Sequence, residues 1–157
     1  MSFDIFLQKF SYGNSAEANR EAVLAVLKNE KYKRPNRLYH VTFTDGADVE
    51  FSAELESKGK FDGCAFFVRG MSRLLIKFIF DIAKAGDMVI LPAMEGFVPI
   101  LCSSEQKQHL PKELAHNEPP PVVCESGEEL ESLLCGGYES WRKYRDQIVS
   151  GKNQNPP

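Results

Sequence analysis

The stretch that decides the fold is residues 61–102, FDGCAFFVRGMSRLLIKFIFDIAKAGDMVILPAMEGFVPILC, which hold the densest apolar run in the chain. Its pattern predicts a strand, a helix, a strand, a tight turn and a last strand. Within Leu74–Ala85, apolar side chains recur every three or four residues and share one face of an amphipathic helix. Ser72 can cap the start of this helix, and Gly86 can end it in a left-handed conformation. The apolar face must be buried against a sheet, to which the flanking strands contribute.

Earlier segments predict further strands. Ser2–Phe10 carries aromatic residues on both faces of an alternating pattern, so we expect it inside the sheet. Arg37–Thr44 and Ala47–Ala53 alternate apolar and polar residues on either side of Asp45-Gly46, which is the pattern of a β-hairpin. The charged segment Asn29–Asn36 is predicted to be a loop.

Two capping boxes predict helices outside the central region. Asn14 and Glu17 have the spacing of a capping box and predict a helix over Ser15–Lys28. Ser126 and Glu129 repeat that spacing ahead of a leucine-rich segment. We therefore expect one helix before the hairpin and another after the last strand.

The C-terminal region is predicted to be an addition to this domain. Residues 137–149 are predicted to form a helix, because Trp141, Tyr144 and Ile148 recur at helical spacing, and the polar residues 150–157 are predicted to be disordered. We therefore expect a single domain over residues 1–149. Its predicted fold class is α+β, with helices packed on one face of a mostly antiparallel sheet.

The composition is that of an ordinary globular protein, with 43% hydrophobic and 26% charged residues. A net charge of −3 argues against a broad nucleic-acid-binding surface. The chain has no run of about 18 apolar residues that could span a membrane. Its first residues, MSFDIFLQKF, lack the basic start and the apolar length of a signal peptide. We predict a cytoplasmic protein that binds neither nucleic acid nor membranes.

The four cysteines, Cys64, Cys102, Cys124 and Cys135, are scattered and form no CxxC pair. Without a signal peptide, buried reduced thiols are the favoured interpretation. Cys102 or Cys124 could act as a catalytic thiol with His109, but an activated thiolate needs an electropositive, partly exposed site. Both cysteines follow apolar residues, which favours a core position.

Motifs of catalysis or cofactor binding are absent from the sequence. It contains no nucleophile elbow, phosphate loop or dinucleotide fingerprint. His40, His109 and His116 lack the spacing of metal ligands. We predict a protein without a metal or cofactor that is not an enzyme.

A group of carboxylates gathers around the predicted hairpin and its exit, and a solvated turn would suffice to explain it. The alternative is an acidic patch that meets a cationic partner, where complementary charge speeds the encounter. The group consists of Asp45, Asp48, Glu50, Glu54 and Glu56.

The basic and aromatic residues around Trp141 are the second candidate for partner binding. Trp141 and Tyr144 lie among Arg142, Lys143 and Arg145, a mixture that could stack on a nucleic-acid strand. The spacing instead favours an amphipathic helix that packs on the domain or docks a partner. We therefore add Trp141 to the five carboxylates as a candidate partner-binding residue.

The opening residues, Met1–Gln8 (MSFDIFLQ), closely resemble the start of a family of small bacterial proteins that begin MSFD-x-FLQ. Two departures stand out: the family often has a tryptophan near the start of the central helix, where this chain has Met71-Ser72-Arg73, and Tyr138–Pro157 looks like an addition. The likeness continues through structural residues at the Asp45-Gly46 hairpin, the segment Phe97–Leu110 with Pro111, and Pro120–Leu134.

Members of that family are similar in size, acidity and build to the immunity proteins with which bacteria neutralise toxins of polymorphic or contact-dependent systems. The resemblance therefore implies a non-enzymatic binding protein, an immunity protein that masks a cationic protein toxin. One alternative is an enzyme or small-ligand protein whose pocket is assembled from distant residues such as His40 and His109. The other is a structural docking module that acts through the C-terminal helix.

Overall fold

An eight-stranded sheet forms the centre of the protein. The computed structural model describes residues 3–56, 59–94 and 96–135. In chain order the strands are β1 (Phe3–Gln8), β2 (Phe10–Ser11), β3 (Asn14–Ser15), β4 (Lys31–Lys33), β5 (Tyr39–Thr42), β6 (Asp48–Ala53), β7 (Gly63–Val68), β8 (Val89–Pro92), β9 (Ile100–Leu101) and β10 (Val122–Val123). The sheet order is β10-β9-β8-β1-β7-β6-β5-β4, and only β10 and β9 pair in parallel. β2 and β3 form a separate small hairpin.

The helices and this sheet confirm the predicted α+β fold. They are α1 (Arg20–Lys28), α2 (Arg73–Gly86), a 3₁₀ helix (Ser104–His109), α3 (Lys112–Ala115) and α4, whose described part is residues 127–135. The order β7, α2, β8, β9 agrees with the strand–helix–strand–strand pattern predicted for residues 61–102.

The caps of α2 agree with the prediction at one end and correct it at the other. Ser72 Oγ accepts a hydrogen bond of 3.0 Å from the backbone N–H of Leu75, as expected for an N-cap. The left-handed residue at the C-terminus is Asp87, with φ of 53°, and not the predicted Gly86. Gly86 is the last helical residue, and a Cβ there would lie 2.6 Å from Met88 Cε. Close packing rather than backbone conformation therefore requires this glycine.

α1, α2 and α4 pack on one side of the sheet, as predicted, and we call this side the covered face. Its centre is Phe78 of α2, whose ring meets those of Phe43, Phe51 and Phe66 edge-on at centroid distances of 5.6, 5.9 and 6.1 Å. Such aromatic contacts add to the free energy gained by burying the rings. The amphipathic helix is thereby joined in one core to β6, to β7 and to Phe43, the residue that follows β5.

A second, smaller core lies on the opposite side of the sheet at the β8–β10 end. Ile90 of β8 belongs to the main core, whereas its neighbours Val89 and Leu91 face the second cluster. Leu110 and Leu114, which follow the 3₁₀ helix, cover that cluster. The helices described here therefore cover only one face of β1 and β5–β7.

The N-terminal strand is interior, as predicted, since β1 lies between β7 and β8. The predicted capping box of Asn14 and Glu17 is wrong. α1 starts later, with Asn19 as its N-cap. Tyr12 and Gly13 adopt positive φ values of 48° and 88° and turn the chain into the β2–β3 hairpin. Asn14 is therefore part of a strand and does not start a helix.

The predicted loop at Asn29–Asn36 is also wrong in part, because Lys31–Lys33 forms the edge strand β4 against β5. Lysines on an edge strand discourage pairing with another chain. Because this segment is charged and lacks alternating apolar residues, the sequence pattern does not predict a strand here. The predicted helix over 137–149 and tail over 150–157 lie outside the described residues.

Candidate functional site

The side of β1 and β5–β7 that points away from α1 and α2 is the candidate functional surface, and we call it the open face. Strand register defines its members, because residues paired across strands project to the same side. None of these side chains is buried. They are Asp4, Phe6 and Gln8 on β1, His40 and Thr42 on β5, Asp48, Glu50 and Ser52 on β6, and Gly63, Ala65 and Phe67 on β7.

Ion pairs occupy the half of the open face near the Asp45-Gly46 turn. His40 Nε2 lies 2.8 Å from Asp48 Oδ2, and an Arg69 nitrogen lies 3.7 Å from Glu50 Oε1. With Leu38 and Phe67, three of these residues (Asp48, Glu50 and Arg69) line a concavity of about 290 Å³. Asp48 and Glu50 thus each have a polar partner on the same face, an imidazole for Asp48 and a guanidinium for Glu50.

The other half of the open face is apolar and has fewer internal partners. Phe6 is 40% exposed, and Ala65 and Phe67 are half-buried beside it. A second concavity, of about 240 Å³, adjoins Phe6 and includes Gly63, Glu54 and Asp62 in its lining. This half combines an exposed aromatic ring with two carboxylates.

Glu56 does not join the open face. Its carboxylate accepts a hydrogen bond of 3.0 Å from Arg34, whose guanidinium lies 4.8 Å from the centre of the Tyr39 ring. Burial raises the pKa of Tyr39, the charge of Arg34 opposes that shift, and the charge of Glu56 adds to it. Because Tyr39 stacks on Phe51 in the main core, Glu56 closes the rim of the covered face.

The predicted acidic group is therefore divided by the fold. Asp48 and Glu50 are on the open face, and Glu54 follows at its edge. Asp45 lies in the hairpin turn, where its side chain accepts a hydrogen bond of 3.0 Å from the backbone N–H of Ala47. Trp141, the sixth candidate, lies outside the described residues.

The sequence prediction missed the apolar members of the surface, Phe6 and Phe67, and the carboxylate of Asp62. A signal for Phe6 was present, because β1 carries aromatics on both of its faces. That pattern predicts a strand inside the sheet, which leaves open whether both of its faces are covered. The structure leaves Phe6 exposed, since the second core covers only the β8–β10 end of that side.

The cysteines agree only in part with the prediction of buried thiols. Cys64 and Cys124 are buried, whereas Cys102 is half-buried and Cys135, on α4, is exposed. The prediction is wrong for Cys135 because this residue lies on the solvent side of its helix. Burial raises the pKa of both Cys64 and Cys102 to about 12. Their thiols are protonated at neutral pH, which disfavours nucleophilic chemistry.

The histidines His40 and His109 do not share a site. His109 Nδ1 accepts a hydrogen bond of 3.1 Å from the backbone N–H of Tyr12, at the end of the 3₁₀ helix that packs on β9. Four strands separate β9 from β5, which carries His40, and this spacing amounts to roughly 20–25 Å. In the described ranges, no three His, Cys, Asp or Glu residues are grouped so that they could hold a metal ion.

Comparisons with protein-family models, with curated proteins and with solved structures gave no match to this chain. Among the described helices, none has both the length and the apolar composition needed to traverse a lipid bilayer. We therefore infer the function from the geometry and charge of the open face.

Proposed function

We propose that this protein is a non-enzymatic binding protein of the bacterial cytoplasm, an immunity protein that neutralises a cationic toxin by protein–protein contact. The observation that carries the proposal is the open face itself. It leaves an exposed aromatic ring, Phe6, among carboxylates on a sheet whose other side is covered by helices. Exposed apolar groups rimmed by polar ones are typical of protein-binding surfaces.

The size of the open face suits a protein partner better than a small ligand. Four strands of six residues or fewer make a surface of about 20 Å by 20 Å. That is roughly half of the 800 Å² that each partner contributes to a standard interface. The hairpin turn at Asp45 and the segment around Glu54 extend the surface at its edges.

Charge determines the kind of partner that we propose. Within the described residues, Asp4, Glu54 and Asp62 have no basic side chain within ion-pair distance, while Glu50 lies near Arg69 and Asp48 near His40. A cationic toxin would supply the missing charges, and its approach would be accelerated by them. Binding of this kind blocks the toxin without any reaction by this chain.

The test is to capture a protein partner from the source cell, purify it, and measure its association rate against salt concentration. Replacing Asp48, Glu50 and Glu54, the hairpin carboxylates on or beside the open face, together by their amides should slow association and flatten its salt dependence. Cells that produce the partner should also survive better when they produce this chain as well. The matched control replaces Glu21, Glu105 and Glu113, three exposed carboxylates away from the open face, and changes the net charge equally.

Two results would count against the proposal. Equal salt slopes for wild type, test variant and control would remove the hairpin carboxylates from the interface. If no protein partner is captured and the purified protein turns over a small molecule, the binding function itself is wrong.

A further inference from the structure

We propose that the concavity beside Phe6, which we call the anchor site, receives one basic side chain of the partner, with arginine preferred over lysine. The anchor site is lined in part by Phe6, Gln8, Glu54, Asp62 and Gly63. This inference rests on the proposed binding function and specifies the chemistry at one point of the interface. The anchor site has a volume of about 240 Å³, which is below the range of drug-sized ligand pockets, so we expect it to hold a single side chain.

Gly63, which lines the anchor site, allows β7 and β1 to lie close together at this point of the open face. The register places it between Gln8 of β1 and the continuation of β6 towards Glu54. A Cβ at Gly63 would be driven into the backbone carbonyl oxygen of Leu7. β7 therefore approaches β1 closely here, and no side chain fills the surface above the glycine.

The polar atoms that face this space are hydrogen-bond acceptors. Gln8 Nε2 donates to the backbone oxygen of Lys9 at 3.0 Å, which turns Gln8 Oε1 towards Gly63. That oxygen would lie 3.1 Å from a Cβ at position 63, so it lies beside the glycine that lines the site. Glu54 and Asp62, which also line the site, add two carboxylates, and Ser52 adds a hydroxyl that can accept as well as donate.

No cationic side chain among the described residues lines the anchor site. The neighbouring lysine, Lys9, is instead held by Asp87. Among the residues that the structure describes, the site therefore presents acceptors and negative charge without a positive charge to match them. A guanidinium group supplies five N–H donors in a plane and one positive charge, which suits several acceptors better than an ammonium does.

Phe6 supplies the apolar wall. The aliphatic part of a basic side chain can pack along its exposed ring, and a guanidinium near the ring face is attracted by the ring's quadrupole. Arg34 and Tyr39 show the same combination elsewhere in the protein, at 4.8 Å. Ring, acceptors and vacant surface at one place point to a basic side chain as the occupant.

The test is an NMR titration of the ¹⁵N-labelled full chain with N-acetyl-arginine methylamide. The control probe is N-acetyl-citrulline methylamide, which has the same shape without the charge. We expect the arginine probe to shift the amide signals of Ser52, Gly63 and Ala65 with a dissociation constant of millimolar order, as for a single weak contact. The citrulline probe should leave those signals in place.

Variants locate the charge that attracts the probe. Replacing Glu54 and Asp62 by amides should weaken arginine binding by about three- to tenfold, the sum expected for two exposed charges. The matched variant, Asp48→Asn with Glu50→Gln, should change it by less than about twofold, because those charges are more distant and screened. Phe6→Ala should also weaken binding, and a melting curve verifies that each variant is folded.

Citrulline binding equal to arginine binding, or arginine binding unaffected by the Glu54 and Asp62 changes, would overturn the anchor site. A second test measures the oligomeric state of the wild type by analytical ultracentrifugation, and we expect a monomer. A dimer that Phe6→Ala dissociates would mean that a second copy of this chain covers the surface. If the probes fail while a toxin is captured by the open face, the proposed function stands without the anchor site.

Discussion

The two faces of the central strands differ in solvent exposure, although both carry apolar side chains. On β1, Ile5 and Leu7 are 0% and 1% exposed, while Phe6 between them is 40% exposed. On β7, Phe66 is fully buried and the adjacent Phe67 is only half-buried. Residues of the same apolar kind, one position apart, are therefore in the core or at the surface according to which face the helices cover.

This comparison separates stability from recognition. The covered face holds interlocking aromatic rings around Phe78, whose removal leaves a cavity. The open face holds exposed ion pairs such as Arg69–Glu50, which add little to the free energy of unfolding. Substitutions on the first face should lower stability, and those on the second should alter binding.

The largest expected effect is that of Phe78→Ala. Phe78 is 2% exposed, so its truncation should lower the free energy of unfolding by about 3–5 kcal/mol. Phe6→Ala, which removes the same ring from the open face, should cost about 1 kcal/mol. Urea denaturation of both variants measures the difference. A loss below about 1 kcal/mol for Phe78→Ala would show that the covered face is assigned wrongly.

Gly63→Ala should have the next largest effect. The added methyl group meets the Leu7 carbonyl oxygen, and forcing β7 away from β1 should cost about 1–3 kcal/mol. Gly70→Ala is the control, because nothing lies within 4 Å of a Cβ at that position. Equal stability of the two variants in urea would contradict the close strand approach that creates the anchor site.

Deprotonation of the Cys64 thiol should lower the free energy of unfolding at alkaline pH. Its pKa rises from 9.0 to about 12 because burial penalises the thiolate. Because the pKa is raised in the folded state, the contribution of Cys64 to the free energy of unfolding is complete below pH 9 and is lost as the pH rises towards 12. At pH 10 we expect a loss of about 1 kcal/mol. Urea denaturation from pH 8 to 11 should show a shallower decline for Cys64→Ala than for Cys135→Ala. Parallel curves would mean that Cys64 is solvated.

The smallest expected effect on stability is that of neutralising the hairpin carboxylates. The combined change Asp48→Asn, Glu50→Gln and Glu54→Gln should lower the free energy of unfolding by less than about 1 kcal/mol, because these surface charges are screened by solvent and salt. A thermal melt beside that of the Glu21, Glu105 and Glu113 variant measures it. A large loss would assign these carboxylates to the fold and not to binding.

Local sequence signals were correct where chemistry within a few residues decides the structure. Ser72 caps α2, and Ser126 Oγ accepts a hydrogen bond of 3.2 Å from the N–H of Glu129, as its capping box predicts. The Asp45-Gly46 turn joins β5 and β6, with Gly46 at φ of 89°. Each of these depends on contacts between near neighbours, which the sequence contains in full.

Signals failed where a distant segment decides the outcome. The β2–β3 hairpin replaced the predicted start of α1, and Tyr12 at its tip is held by His109, far along the chain. β4 forms because β5 offers a free edge, although Lys31–Lys33 has no apolar pattern of its own. Pairing with a remote partner compensates for a weak local preference.

The sequence by itself determined the amphipathic α2, the interior position of β1, the Asp45-Gly46 hairpin and the α+β class, because periodicity and turn chemistry act over short distances. Only the tertiary structure decided which sheet face the helices cover. That choice buried Phe66 and exposed Phe6. It also separated Glu56, which pairs with Arg34, from the carboxylates of the open face. Alternation along a strand fixes which side chains share a face, but helices packed from elsewhere in the chain determine which face meets the solvent.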